Sequence, residues 1–206
     1  MSKYSCINRL NSSAAELFRI LIFDPLKIAA LIQLHDLEFV PFISEETITT
    51  AIEEISGEIN RDYKGKTPVF LGILNGAFLV ASELIKRFPG SCEVSFVKLG
   101  SYEGTATTGN VQTLMGLTQS LEGREVIVIE DIIDTGNTLV EIDRILKEKK
   151  VANYKVATLF FKPEAYKKDL PINYIGMEIP NDFIVGYGLD YDGLGRNLTQ
   201  VYKLKK

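Results

Sequence analysis

The stretch 126–139, VIVIEDIIDTGNTL, restricts the fold more than any other part of the chain. Val126, Ile127, Val128 and Ile129 are four consecutive β-branched residues, the pattern of a strand buried on both faces. Glu130 and Asp131 stand side by side at its end. Two isoleucines follow, then a third carboxylate, Asp134. Thr135, Gly136, Asn137 and Thr138 are turn and helix-opening residues, after which Leu139, Ile142, Ile145 and Leu146 recur at helical spacing. Strand, acidic tip, glycine turn and helix is the local grammar of an open α/β fold, in which ligands gather at the carboxyl ends of parallel strands.

The same stretch carries two opposite chemical preferences. Carboxylates repel phosphate, whereas amides that open a helix lack partners and favour an anion. A ligand with a 5-phosphate and a hydroxylated sugar would satisfy both, with phosphate on residues 135–138 and hydroxyls on Glu130 and Asp131. A divalent ion would complete the charge balance. The plain alternative is a βα turn whose acids serve only solubility.

A chain of 206 residues is long enough for one domain with a real core. Its formal charge of −4 and pI near 5.2 argue against an extended nucleic-acid-binding face, though not against a local basic site. Cys6 and Cys92 are too few for a disulfide framework or a metal cluster and fit a reduced cytosol. The only histidine, His35, rules out zinc sites built from several histidines and reads as a structural residue.

In order along the chain, residues 14–24 follow a capping box at Ser13 and read as a short helix, with a second over 26–34. Glu16, Arg19, Asp24 and Lys27 interrupt the apolar run too often for a signal peptide or a membrane span. Residues 37–43 read as a strand. Ser44 caps a helix over 45–63 whose Ile48, Ile52, Ile55 and Ile59 share one face. Residues 64–68 approach a phosphate-binding Lys-Thr loop, but Asn60 stands where its first glycine belongs and a helix precedes it. A second buried strand over 69–74 leads through Asn75, Gly76 and Ala77 into a helix ending near 87. A third strand, 93–99, precedes the polar loop 100–109, and 111–117 is extended again. That loop is either a plain hairpin or a lid. A helix over 138–150, a strand over 156–161 ending at Lys162, and a strand over 172–179 follow. Gly193 and Gly195 imitate a dinucleotide fingerprint, but Leu198 stands at its third glycine.

Residues 130–138, EDIIDTGNT, resemble the phosphoribosyl-pyrophosphate motif of purine phosphoribosyltransferases, most of all the hypoxanthine-guanine branch. Three further segments occur in the family's order: Asn75-Gly76, Ser101-Tyr102, and 183–190, FIVGYGLD. The resemblance covers roughly 34–204, and family members would begin near 33 or 34. Residues 1–33 are then an added helical arm or a product of start-site choice, with no chemistry assigned. It implies a type I phosphoribosyltransferase fold, a mostly parallel sheet with a small hood formed by the N-terminal arm and the C-terminal strands. It also implies Mg²⁺-dependent transfer of 5-phosphoribose to hypoxanthine and guanine in the cytoplasm, by a homodimer or homotetramer.

By that resemblance Glu130 and Asp131 hold the ribose and assist the metal, Thr135, Gly136, Asn137 and Thr138 hold the 5-phosphate, and Asp134 takes the proton from purine N7. Gly76, preceded by a non-proline cis peptide, and Arg196 contact pyrophosphate, and Asp190 holds the metal. Lys162 reads the 6-oxo group, Phe183 stacks on the base, and Ile184 offers backbone groups to its edge. Ser101 and Tyr102 belong to the mobile loop. Asn75 departs from the family, which usually has Lys or Arg there. Two rivals remain: a transferase of this fold acting on xanthine or a pyrimidine, and a non-catalytic nucleotide sensor that binds RNA. The acidic pI and intact Asp134 weigh against the second.

Overall fold

The computed structural model describes residues 31–100, 112–115 and 120–206. In chain order the elements are β1 (Ile32–Leu34), β2 (Leu37–Ile43), α1 (Glu45–Asp62), β3 (Val69–Leu74), α2 (Phe78–Lys86), β4 (Glu93–Gly100) and β5 (Gln112–Met115), then β6 (Glu125–Ile133), α3 (Asn137–Glu148), β7 (Asn153–Phe161), β8 (Tyr174–Glu178), β9 (Ile184–Val185) and β10 (Val201–Leu204). They form two sheets. The larger has the order β5-β4-β3-β6-β7-β8. Its five strands from β4 to β8 pair in parallel, and only β5 is antiparallel, on the edge beside β4.

Strand β6 lies between β3 and β7, and its alternating side chains serve two layers. Ile127 and Ile129 face the apolar stripe of α1 (Ile48, Ile52, Ile55, Ile59) together with Val80, Ala81 and Leu84 of α2. Val126 and Val128 face Leu139, Ile142 and Leu146 of α3. That two-sided burial is why the run contains no polar residue before Glu130. It also fixes the register, so the carboxyl ends of β3 and β6 finish at one edge of the sheet, where the acids stand.

The smaller sheet, β1-β2-β10-β9, is antiparallel and is the expected hood, with its own core of Phe39, Val185 and Tyr202. Here the expectation of a helix over 26–34 is corrected for its last residues. Ile32 and Leu34 pair with Phe39 and Leu37 across a two-residue turn at His35 and Asp36, and their apolar-polar alternation is a strand's period. Residues 1–30 lie outside the described residues, as does the helix expected over 14–24.

Other boundaries moved for visible reasons. β6 continues through Glu130 and Asp131 to Ile133, because β7 keeps pairing with it as far as Ile133 and Phe161. The acids are therefore the last part of the strand rather than a tip beyond it. β7 starts at Asn153, not 156, paired from Glu125 onward. β8 starts only at Tyr174, since the Asn173 side chain accepts the Val156 amide and occupies the place of a strand contact. α3 runs over Asn137–Glu148 rather than 138–150. Among the described residues, no helix is long and apolar enough to cross a membrane.

Candidate active site

A cavity of about 250 Å³ opens at the carboxyl end of β6. Residues 130–139 form its wall, with Ile73, Val128 and Val156 beneath. The wall ends in the start of α3, whose N-cap is Gly136 at φ 79°. No side chain caps this helix, and its first turn carries no acid. Gly136 is required twice over. Its φ is left-handed, and an added Cβ would lie 2.5 Å from the ring of Tyr166. Tyr166 is itself fixed, its hydroxyl donating to the Leu170 carbonyl (2.7 Å) and its ring edge-on to Phe161.

The acids differ sharply in surroundings. Burial, reinforced by the neighbouring Asp131 charge, pushes the Glu130 carboxyl well above its ordinary range. Its Oε2 is buried without a hydrogen-bond partner. Burial also raises Asp131 to about 6, although its Oδ1 accepts the Ile132 amide at 3.0 Å. Asp134 is more open, and its Oδ2 accepts from Lys162 Nζ at 3.1 Å. The lysine side chain is only 9% exposed against 42% for Asp134, so the lysine is fixed from behind and the carboxylate faces the opening. The Lys162 amide donates to the Ile133 carbonyl, which ties the end of β7 to the end of β6.

Two other segments close on the acids. The peptide bond between Leu74 and Asn75 is cis, and Gly76 follows. An added Cβ on Gly76 would lie 1.7 Å from Asp131 Oδ2, so only glycine lets this loop rest against the carboxylate. Gly188, at φ 101°, approaches from the other side, and a Cβ there would meet the Gly76 carbonyl at 2.1 Å. Arg196 donates through Nη1 to the Gly188 carbonyl (2.7 Å), and its Nη2 pairs with Asp190 Oδ1 at 2.6 Å. Asp190 Oδ2 accepts the Gly193 amide at 2.8 Å. Phe183 precedes β9 and is 44% exposed, with Tyr191 edge-on behind it. Phe183 and Val185 direct their backbone groups toward β10, since Leu204 donates to the Phe183 carbonyl and Tyr202 pairs with Val185. By strand alternation the backbone groups of Ile184 between them face the open edge.

A family model for the phosphoribosyl transferase domain matches residues 44–192. The chain belongs to the phosphoribosyltransferase family. It is 41% identical over 164 residues to a hypoxanthine-guanine phosphoribosyltransferase of Staphylococcus aureus, covering 79% of this chain and 92% of that one. A protein of the same name from Streptococcus thermophilus is 43% identical over 164 residues, with 79% and 91% covered. The crystal structure of a hypoxanthine-guanine phosphoribosyltransferase from Bacillus anthracis superimposes with a TM-score of 0.76 at 37% identity, covering 80% of this chain and 98% of that one.

For a phosphoribosyltransferase the arrangement has a clear division. Glu130, Asp131 and Asp134 come to one opening with Thr135, Gly136, Asn137, Thr138 and Lys162. Gly76, Asp190 and Arg196 gather around Gly188 beside Asp131. Gly188 and Tyr166 were missed in the sequence. The run Gly186-Tyr187-Gly188 was the available sign of left-handed backbone, but the partners of Gly188 and Gly136 are distant in sequence. Ser101 and Tyr102 lie outside the described residues, and with them the choice between lid and hairpin for 100–109. The flanking strands β4 and β5 do pair as a hairpin would. The Gly193–Gly195 region is a turn with left-handed glycines and not a strand-to-helix fingerprint.

The donor set suits a hard divalent cation. Adjacent carboxylates at 130 and 131, one of them with an unpartnered buried oxygen, are costly to keep charged without a cation or hydroxyl donors. Among the described residues no three ligating side chains form a closed cluster. An ion here would take its remaining oxygens from ligand and water, the habit of Mg²⁺.

Proposed function

We propose that this chain is a hypoxanthine-guanine phosphoribosyltransferase of purine salvage, transferring 5-phosphoribose from phosphoribosyl pyrophosphate to hypoxanthine or guanine. The observation that carries the choice of base is the Lys162–Asp134 contact of 3.1 Å beside the uncapped start of α3. A lysine cation donates to a 6-oxo group, whereas the 6-amino group of adenine offers a second donor and gains nothing from it.

On this reading the amides of residues 135–138 hold the 5-phosphate, and Glu130 and Asp131 accept the ribose hydroxyls. Their charge also favours the cation-like sugar that forms as pyrophosphate leaves. The Gly76 amide and Arg196 receive that pyrophosphate, the guanidinium by parallel hydrogen bonds. Phe183 stacks on the purine, and the outward backbone of Ile184 reads its edge. Asp134 accepts the N7 proton as the new bond forms, with Lys162 holding the carboxylate in place. Asp190, Glu130 and Asp131 would hold a Mg²⁺ ion, which would supply neutralising charge to the pyrophosphate. With pyrophosphate held by backbone, Asn75 in place of a basic residue leaves this role intact.

The catalytic domain on this reading is 34–206, with 1–33 outside the chemistry, and the reaction belongs to the cytoplasm. Assembly into a homodimer or homotetramer is part of the proposal, and the exposed Phe78 and Val94 offer apolar surface to bury. Initial rates with phosphoribosyl pyrophosphate, Mg²⁺ and hypoxanthine, guanine, xanthine, adenine or uracil test it. Nucleotide should form from hypoxanthine and guanine. Turnover confined to adenine or uracil, or none with any base, contradicts it.

A further inference from the structure

Tyr191 stands between two parts of the site without belonging to either. On its N-terminal side is Asp190, bound to Arg196 and the Gly193 amide. Against its ring, edge-on at 5.9 Å and 87°, is Phe183. Phe39 of β2 closes the triangle, 6.2 Å from Tyr191 and 6.1 Å from Phe183. The exposed face of Phe183 therefore has an aromatic support behind it, and that support is held from outside the site.

The holding groups are in the turn between β1 and β2. The Tyr191 hydroxyl donates to Asp36 Oδ1 at 2.8 Å. The His35 ring meets the Tyr191 ring edge-on at 5.6 Å, and its Nε2 lies 3.2 Å from the Asp192 carbonyl. His35 adopts φ 50° to reach this position. The backbone beneath the tyrosine is fixed separately. Tyr191 and Leu194 exchange amide–carbonyl bonds of 2.9 and 3.1 Å across Asp192 and Gly193, both at left-handed φ, which makes a tight hairpin turn. Removing the hydroxyl would thus take away the ring's hydrogen-bonded anchor while leaving its aromatic neighbours, the turn and Asp190 on it in place.

We propose that Tyr191 is a positioning residue for the base subsite: anchored to Asp36, it fixes the ring of Phe183 against which the purine stacks. This rests on the reading of Phe183 as the stacking residue. The β1–β2 turn thereby acts on base affinity without touching the base. Phe183 is read as touching the base and not the reacting atoms, so the effect is one of binding rather than of turnover, and aromatic edge contacts are modest in strength, so it is small.

The test is steady-state kinetics on Tyr191→Phe, Asp36→Ala, Asp36→Asn and the double variant Tyr191→Phe/Asp36→Ala, with Phe183→Ala as reference. Tyr191→Phe and Asp36→Ala should each raise KM for the purine roughly threefold to tenfold, with kcat and the KM for phosphoribosyl pyrophosphate within about twofold of wild type. Asp36→Asn, whose carbonyl oxygen still accepts, should restore the wild-type purine KM. The double variant should be no worse than either single one. An unchanged purine KM in Tyr191→Phe overturns the proposal, as does a parallel change in kcat and both KM values. A purine KM in Asp36→Asn as high as in Asp36→Ala also overturns it. If Phe183→Ala itself leaves the purine KM unchanged, the stacking assignment has failed instead, and a wild-type protein inactive on every base marks failure of the proposed function.

Discussion

Helices α1 and α3 both begin where a strand ends, yet their first turns are built differently. α1 is closed by its own side chains. Ser44 Oγ accepts the Thr47 amide at 3.2 Å, and Glu45 and Glu46 place negative charge in the first turn. α3 has none of this: a left-handed glycine at the N-cap, no side-chain cap and no acid. A glycine at the N-cap in place of a capping side chain forgoes about 0.3 kcal/mol, and the missing acids of the first turn roughly as much again. It is maintained where the free amides and the positive end of the dipole are needed for an anion from outside. On the proposed function the two starts separate what serves the fold from what serves the ligand. Changes near α3 should alter catalysis and substrate affinity, and changes at α1 should alter stability.

The largest expected effect is Asp134→Asn, just before α3. The carboxamide oxygen still accepts from Lys162, so substrates bind, but the proton acceptor is gone. Turnover should fall by about 10²–10⁴-fold with little change in either KM, measured in steady-state assays. A near-normal kcat would remove Asp134 from the base role. Next is Asn137→Glu, which gives α3 the acidic first turn that α1 already has. Thermal unfolding should show a gain of about 0.5 kcal/mol, while the KM for phosphoribosyl pyrophosphate rises roughly tenfold or more. A variant that is stabilised and binds normally would break the contrast between the two helices.

At α1 the prediction reverses. Ser44→Ala should cost about 1 kcal/mol in denaturant unfolding and leave kcat/KM unchanged. The smallest effect belongs to the far end of α1, where Asp62 is paired with Lys155 at 2.6 Å and accepts from the Tyr174 hydroxyl. The Lys155 and Tyr174 hydrogen bonds hold its carboxyl below the ordinary value of 3.8. Its contribution is present above that ordinary value and is lost as pH falls through the lower folded one. The pair is partly exposed, so Asp62→Asn should cost only about 0.5 kcal/mol at neutral pH, and the difference from wild type should vanish in strong acid.

These contrasts also mark how far the sequence could be read. α1 was legible because its signal is local: one cap residue, four isoleucines at helical spacing, and both boundaries within a residue of those observed. β3 was legible for the same reason, a short apolar run between turn residues. β6 and β7 were read too short because a strand's length depends on its partner's register, which no single stretch contains. In the site, residues 130–138 that line the opening stand in one sequence motif, but what joins that motif to the other segments is not visible in the sequence. The Lys162–Asp134 contact and the packing of Gly188 on Gly76 join positions far apart in the chain. His35 looked structural, and its position over Tyr191 depends on a hairpin at residues where a helix was expected.

The claim that joins the site is that the open start of α3 receives the 5-phosphate of a 6-oxopurine nucleotide. Calorimetric titration of the protein with inosine monophosphate and, separately, with inosine tests it directly. The monophosphate should bind at least roughly a hundredfold more tightly, and Asn137→Glu should erase most of that advantage. Equal affinities for nucleotide and nucleoside, or an advantage untouched by Asn137→Glu, would contradict the account.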